Sequence, residues 1–395
     1  MSKPKVLIVQ ELWWPKGGGG IFATHLITKV LVRHGFKVRV VTGVEDHEVI
    51  DNVVFIHEPR LRASNKLELW FNAYMVSREG WFRRLVEWAD VVYIPRYAYP
   101  VIPRVKELGR RVIVHLHDYQ PISYTSVIFH GDNFKSDFTR TFYYELHQHG
   151  LMRALVTSPL TPINRLAREW VSRADAVVCV SNRQCEIMRE RMPEIRGKSV
   201  VIYNPLPNVS PVRKELGDEK VLLYLGGPSF VKGFHLVLRV ANELLRRHRD
   251  LRILMTKVEG YRSLPSNCVA PGELPYQDVA KLHSRAYALL FPSIWEEPMP
   301  YVVVESMLMG TIPIAARTGG VPEVVVGSPA EDYLFTPGDV NEFMDKIEAV
   351  LTQSRDYLLD VSAKLRGHVL KLFNTEYIEN RIVSLFESVL NQGDA

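Results

Sequence analysis

Two doubly wound α/β domains in tandem are what this sequence predicts, and three observations carry that expectation. Short β-branched runs alternate with stretches of helical period along most of the 395 residues, which is the pattern of a parallel sheet covered by helices on both faces. The alternation breaks at YNPLPNVSPV (203–212), where three prolines and no periodicity read as an interdomain linker. The pattern then restarts, and a chain of this length is too long for one ordinary core. The expected domains are residues 1–204 and 205–375, followed by a long amphipathic helix over 376–395 that could dock on either.

Taken in order, KVLIVQ (5–10) reads as a buried parallel strand, followed by a glycine cluster and then the amphipathic helix IFATHLITKVLVRHG. KVRVVTG (37–43) is the next strand. WFRRLVEWA leads into DVVYIP, PRVKELGR into RVIVHLH, and REWVSRA into DAVVCVS. The stretch WFRRLVEW (81–88) is basic and aromatic enough to lie on a membrane, but the strand that follows favours a sheet-covering helix. In the second half KVLLYLGG, LVLRVANELLRRH and LRILMTK repeat the unit, and AYALLFPS and TIPIAA supply further strands. Residues 119–160, rich in Tyr, Phe, His and Arg, do not fit the alternation and are expected to mix loop with short helix. Long irregular connections in compact domains tend to be functional.

The formal charge of +5 is too small for a nucleic-acid reader, which would need a concentrated basic stripe. It does suit an anionic ligand or an acidic membrane surface. Cys179, Cys185 and Cys268 have no metal-ligand spacing and are expected as reduced thiols. The N-terminal MSKPKVLIVQELWW has too short an apolar core for a signal peptide, and no run approaches the length needed to span a bilayer. A cytoplasmic protein is expected, soluble or at the inner face of a membrane.

In open α/β sheets the ligand crevice lies beyond the carboxyl ends of the strands, so the residues after each strand are the candidates. After the first comes WWPKGGGGIF, whose four consecutive glycines allow close backbone approach and whose following helix start favours an anion. The spacing is neither a G-x-G-x-x-G fingerprint nor a Walker loop. After RVIVHL come His117 and Asp118; a histidine there can donate a hydrogen bond or move a proton near neutral pH. His115 is placed on the opposite side of the strand, which argues against an H-x-H metal pair. No two aspartates stand one residue apart, so no divalent cation is expected and the metal-site expectation is none. In LYLGGPSFVKGF, Gly226, Gly227 and Ser229 precede Lys232 and a new helix, an arrangement able to clamp a diphosphate. In PSIWEEPMPYVVVESMLMGTIP (292–313), Glu297 and Glu305 stand eight positions apart in an apolar setting. Unpaired buried carboxylates are costly, so a polar ligand between them is the reading of interest. Pro298 and Pro300 forbid a helix through Glu297 but suit a helix start near Tyr301 or Val302. Glu305 then lies about one turn in, the amides of residues 301–303 open outward, and TGGVPEVV (318–325) adds a glycine turn to the same rim.

These residues resemble the retaining nucleotide-sugar glycosyltransferases of family 4, which have the GT-B fold: two Rossmann-like domains with an interdomain cleft. EPMPYVVVE matches the family's E-x7-E pattern, and FPS…E…VVVESMLMGTIPIAARTGGVPEVV continues the match. The GGGG loop, HLHD, DAVVCVS, VIYNPLP and LGG…KG occur in the family's order, and the likeness is weakest over 44–90 and 119–165. Carried across, it implies that Gly19 and Gly20 face the donor phosphates and that His117 lies beside the transferred sugar. Lys232 and Ser229 would hold the diphosphate, and Glu305 the ribose. Glu297 would contact the sugar, with the backbone at Met299, Tyr301 and Val302 reaching sugar hydroxyls or phosphate. The terminal helix would cross back onto the first domain. Two departures stand out: Gly227 where the family usually has arginine, and Pro300 where it often has glycine.

The resemblance implies transfer of a sugar from a nucleotide-diphosphate donor to an acceptor hydroxyl with retention, with no cofactor and no metal. The acceptor could be a glycan, a lipid-linked sugar or a small molecule, and the aromatic 119–160 segment is the place to look for it. His117 and Glu297 are the catalytic candidates. No side chain is an obvious covalent nucleophile, so catalysis is assigned to electrostatic stabilisation of the departing diphosphate and orientation of the acceptor. The resemblance implies front-face attack by the acceptor, with a leaving phosphate oxygen taking its proton. Two other readings keep the fold: a nucleotide-sugar isomerase or epimerase, and a non-catalytic nucleotide-sugar-binding protein.

Overall fold

The computed structural model describes residues 3–208, 213–258, 261, 263–272, 274 and 276–391. Part of the expected linker, residues 209–212, lies outside them. The chain divides into two compact units. Unit 1 comprises Met1–Val127, Pro159–Leu206 and Phe373–Ala395, and unit 2 comprises Ile128–Ser158 and Pro207–Leu372. Residues 128–158, which the sequence reading keeps with the first domain, thus cluster with the second.

Unit 1 is built on seven strands: β1 (Lys5–Gln10), β2 (Lys37–Thr42), β3 (Val53–His57), β4 (Val91–Ile94), β5 (Arg111–Leu116), β6 (Ala176–Cys179) and β7 (Ser199–Val201). All pairs are parallel and the order is β3-β2-β1-β4-β5-β6-β7. Val6, Leu7, Ile8 and Val9 of β1 are fully buried, as a central strand covered on both faces must be. Each such side chain contributes about 1.5–3 kcal/mol of burial. Helix Gly80–Trp88 packs over β1 through Phe82 and Val86, while the Arg39 guanidinium of β2 sits 4.1 Å over the Trp88 ring. It covers the sheet, as its position before a strand suggested. The terminal helix Thr375–Asn391 lies on helix Gly19–Arg33 and on β4 and β5. Phe386 meets Tyr93 at 5.4 Å and Phe36 at 6.1 Å, and Glu379 pairs with Arg33 at 2.6 Å.

Unit 2 has six strands: β8 (Lys220–Tyr224), β9 (Leu251–Met255), β10 (Cys268–Val269), β11 (Ala286–Phe291), β12 (Ile312–Ala316) and β13 (Leu334–Phe335). These too are parallel, in the order β10-β9-β8-β11-β12-β13. The 128–158 segment adds helix Asp137–His149, started by a Ser136–Thr139 capping box, and helix Leu151–Thr157. The first is longer than the short helix expected there.

Both strand orders reverse direction once, between β1 and β4 in unit 1 and between β8 and β11 in unit 2. A doubly wound sheet opens its ligand crevice at that point, because the loops on either side leave toward opposite faces. Among the described residues, no helix is long and apolar enough to cross a membrane.

Candidate functional site

The unit 1 crevice is set by the residues that end β1, β2, β4 and β5. Glu11 follows β1 and Arg96 follows β4, and their side chains meet across the strand reversal at 3.1 Å, Arg96 Nε to Glu11 Oε1. The pair lacks hydrogen-bond alignment, since Arg96 Nε and both Glu11 carboxylate oxygens are buried without a hydrogen-bond partner. Burial pushes the Glu11 carboxyl above its usual range, against the pull of Arg96. Asp118 is likewise raised by burial, while Tyr97 and Arg96 draw it down. Beside them the fully buried side chains of Gln10 and Thr42 make no hydrogen bond. Buried polar atoms are normally paired, so this concentration at one end of one sheet marks a place built for polar contacts.

His117 stands at the same end. Its ring stacks on His115 with centroids 4.4 Å apart and planes 25° apart. The expectation that His115 points the other way is therefore wrong: residues two apart on a strand share a face. The two histidines differ in partner. His115 Nδ1 meets the Tyr93 hydroxyl at 2.7 Å, whereas His117 Nε2 is buried with no hydrogen-bond partner. Burial, then the neighbouring His115 and Arg96, drive the His117 pKa well below its ordinary value, so its imidazole is neutral near pH 7. Among the described residues no group of three His, Cys, Asp or Glu is placed to hold a metal ion.

The glycine loop reaches His117 from the other side. Gly18 caps helix Gly19–Arg33, with Ile21 N and Phe22 N donating to Gly18 O, so Gly19 and Gly20 form its first turn. A Cβ on Gly20 would fall 2.9 Å from His117 Cβ and Cγ. Gly20 is glycine because the imidazole occupies that space.

In unit 2 the loop after β8 carries Gly226–Lys232 and the loop after β11 carries Pro292–Glu297. They are tied together across the reversal by Lys232 Nζ and Glu297 Oε1, 3.7 Å apart. Glu297 is buried, and its Oε1 accepts from Trp295 Nε1 at 2.6 Å and Ser293 Oγ at 3.2 Å. Adjacent Glu296 has a bracing role: Oε2 accepts from Gly319 N at 2.9 Å and Oε1 lies 3.3 Å from His130 Nδ1. The TGG turn grips the same backbone. Gly320 N donates to Glu297 O at 2.7 Å, and a Cβ on Gly319 (φ +54°) would sit 2.0 Å from that oxygen.

Helix Tyr301–Leu308 starts at Pro300, where the prolines placed it. Val303 N and Val304 N both return to Pro300 O. The Val303 amide is thus spent inside the helix, and the expected outward trio of amides 301–303 loses that member. Met299 and Tyr301 are buried and Val302 half-buried; Glu305 lies on the second turn, 7% exposed. After β8, Ser229 N donates to Gly227 O at 2.8 Å, and the buried Tyr224 hydroxyl donates to Gly227 O at 3.0 Å. This pinned turn ends at Gly233 (φ +74°), which opens helix Phe234–Arg247.

The aromatic 128–158 segment supports both loops. Gln148 Oε1 accepts from Phe230 N at 2.6 Å, and Gln148 Nε2 donates to Pro228 O at 3.2 Å. Glu296 N donates to Ile128 O at 2.7 Å and His130 N to Ile294 O at 3.0 Å, with Phe129 bridging Trp295. Phe129, Tyr143 and His147 pack around Phe230. Sequence reading missed Gln10, Glu11, Arg96 and Gln148. The first three could have been found by applying the strand-end rule after β1 and β4; Gln148 carries no local signal, since its loop partner is 80 residues away.

Two family models match the chain end to end over residues 17–364. "Glycosyltransferase Family 4" covers 17–207 and "Glycosyl transferases group 1" covers 208–364. The putative glycosyltransferase YtcC of Bacillus subtilis is 24% identical over 56% of this chain, a match that spans 62% of that relative's own length. The GPI3 subunit of Saccharomyces cerevisiae phosphatidylinositol N-acetylglucosaminyltransferase is 21% identical over 99% of this chain and 84% of its own. Among solved structures, sucrose-phosphate synthase of Thermosynechococcus elongatus superposes with a TM-score of 0.77 at 17% identity, covering 99% and 100% of the two chains. Anabaena HepE in complex with UDP-glucose does so at 0.66 and 17%, over 97% and 99%. At such identities the structural likeness establishes the fold, and the matching models establish the family. With its two parallel-sheet α/β units and its paired strand-end sites, the chain belongs to the family 4 glycosyltransferases of the GT-B fold.

Proposed function

We propose that this glycosyltransferase moves a sugar from a nucleotide-diphosphate donor to an acceptor hydroxyl with retention at the anomeric carbon, without a metal ion or other cofactor. The observation that carries the reading is the lysine–glutamate pair, Lys232 and Glu297, at the strand reversal of unit 2, with Glu305 one helix start away. A cation beside loop backbone suits a diphosphate, and two carboxylates suit ribose and sugar hydroxyls. Uridine diphosphate sugars are the first donors to try, because the similar HepE was solved with UDP-glucose.

In this reading Lys232 and Ser229 bind the departing diphosphate, and Gly19 and Gly20 let the backbone approach it. Glu305 takes the ribose hydroxyls. Glu297, held by Trp295 and Ser293, orients the donor sugar with the backbone of Met299, Tyr301 and Val302. Neutral His117 offers its unpartnered Nε2 to a hydroxyl of the transferred sugar. Stabilisation of the leaving diphosphate supplies the main rate enhancement. The leaving phosphate oxygen takes the acceptor proton as the new bond forms on the same face. Glu11, Arg96 and Gln10 are assigned to the acceptor. A lipid-linked acceptor fits the likeness to a phosphatidylinositol glycosyltransferase subunit, and with it peripheral contact with a membrane at its cytoplasmic face.

A thermal-shift panel of UDP, GDP, ADP, CMP and dTDP, with and without magnesium, tests the donor. A nucleotide at about a hundred times its Kd stabilises the fold by ~2.7 kcal/mol. One clear winner, indifferent to magnesium, is expected; no shift with any of them would overturn the reading. NMR of the product's anomeric coupling then decides retention.

A further inference from the structure

We propose that Gln184 is the positioning residue for His117, clamping the chain on both sides of it so that the imidazole holds one place in the unit 1 crevice. The assignment rests on the donor reading above, in which His117 faces the transferred sugar, and adds a residue that no strand-end rule selects. β5 ends at Leu116, opposite Cys179 of β6, and the chain bends at His117 and Asp118. The Gln184 carboxamide sits at that bend. Its Nε2 donates to Leu116 O at 3.3 Å and to Asp118 O at 3.1 Å, and its Oε1 accepts from Val180 N at 2.8 Å. A carboxamide offers the same donor and acceptor as a peptide group, so this side chain bridges β5 and β6 just past their last residues. One nitrogen holds the carbonyl before His117 and the carbonyl after it.

His117 depends on that hold. Its Nε2 is buried without a hydrogen-bond partner, so no polar contact at that atom fixes the ring. The ring is placed by its backbone, by the stack on His115 at 4.4 Å and by the close approach of Gly20. A second observation separates the clamp from a role in Gln184's own helix, Asn182–Arg191. Ser181 and Gln184 have the S-x-x-Q spacing of a capping box, in which the last side chain turns back to the N–H of the first residue. The first half is present, with Gln184 N donating to Ser181 Oγ at 3.1 Å. The fully buried Gln184 side chain goes instead to Val180, before the cap, and to the end of β5. A glutamate would suit the helix start equally well, but it has no N–H for the two carbonyls. The clamp requires glutamine.

The test follows the His117 ring by NMR in the full chain with isotope-labelled histidine, the resonance being assigned by its loss in His117→Ala. The stacked His115 ring displaces that resonance, so movement of the imidazole is read as a shift. Gln184→Leu and Gln184→Glu are expected to shift it. Ser181→Ala removes the cap and keeps the clamp, and should lower the melting temperature with the resonance in place. Gln184→Glu keeps an acceptor for Val180 N and suits the helix start, so it reports on the clamp even where Gln184→Leu fails to fold. Each form is then titrated with UDP-glucose, UDP-N-acetylglucosamine, GDP-mannose, ADP-glucose and dTDP-glucose, and with the parent diphosphates. One sugar nucleotide should move the wild-type resonance further than its diphosphate does, and that extra shift should be lost in Gln184→Glu. An unmoved resonance in ligand-free Gln184→Glu overturns the clamp alone. A resonance that moves in the variants but answers no sugar nucleotide in wild type overturns the place given to His117 in the donor reading, and the catalytic use of the clamp with it.

Discussion

Gly233→Ala should separate the two loops of the unit 2 crevice, and the cost can be worked from the backbone. Gly233 has φ +74°, and a Cβ there would lie 1.9 Å from Pro292 O and 2.8 Å from Pro292 C. Both atoms are backbone, so no rotamer change relieves the clash. The loop ending in Lys232 and the loop leading to Glu297 must part by about 1 Å, because close-packed interiors leave no slack. The left-handed φ costs an alanine about 1–2 kcal/mol, and the forced shift adds about 1–3 kcal/mol. A total near 4 kcal/mol lowers the midpoint of a unit this size by about 8–16 °C. Gly338→Ala is the matched control: its φ is +85°, but nothing lies within 4 Å of its Cβ position. It should lose about 1.5 kcal/mol, or about 3–6 °C. Nucleoside-diphosphate affinity should fall about 100-fold in Gly233→Ala, since a misplacement of about 1 Å in a binding constellation has that order of effect, and should hold in Gly338→Ala. Calorimetric scans and ligand titrations of the two variants read both quantities. Equal losses of stability, or wild-type affinity in Gly233→Ala, would refute the close-approach argument.

Three further outcomes are expected. Glu305→Ala should weaken nucleoside-diphosphate binding about 10- to 100-fold, the worth of charged hydrogen bonds, while leaving cooperative unfolding intact; a collapse of folding with no change in affinity per folded molecule would make Glu305 a core residue. His117→Ala should lower kcat at least about 100-fold with donor Kd within about threefold of wild type, and an unchanged kcat would remove it from the chemistry. Burial lowers the His115 pKa to about 3 in the folded chain. An unfolded histidine titrates near 6.5, so between these values the unfolded state binds more protons and stability falls as pH drops. The group contributes up to ~1.4 kcal/mol per pH unit over that window. Glu11 and Asp118, raised by burial, oppose the trend, so the comparison is with His115→Phe. Urea midpoints from pH 7 to 4.5 should fall more steeply in wild type, and parallel curves would deny the buried neutral histidine.

What the sequence determined by itself is whatever depends on neighbours along the chain. β-Branched runs and helical period give strands and helices. Proline at 298 and 300 sets the helix start, because ring geometry acts on its own residue and the one before. The positions of His117, Lys232, Glu297 and Glu305 at strand ends and helix starts were legible for the same reason. The tertiary structure decided what these residues face. It took the fold to show that Gly20 makes room for an imidazole 97 positions on, that Glu11 meets Arg96 across a strand reversal, and that Gln148 braces Pro228 and Phe230. It also moved the 128–158 segment from the first unit to the second, where its aromatics pack on Phe230 and the backbone at Phe129 bridges to Trp295. Long-range pairings of this kind are set by strand order and packing. Neither leaves a period in the sequence, because the partners share no local backbone geometry that could impose one.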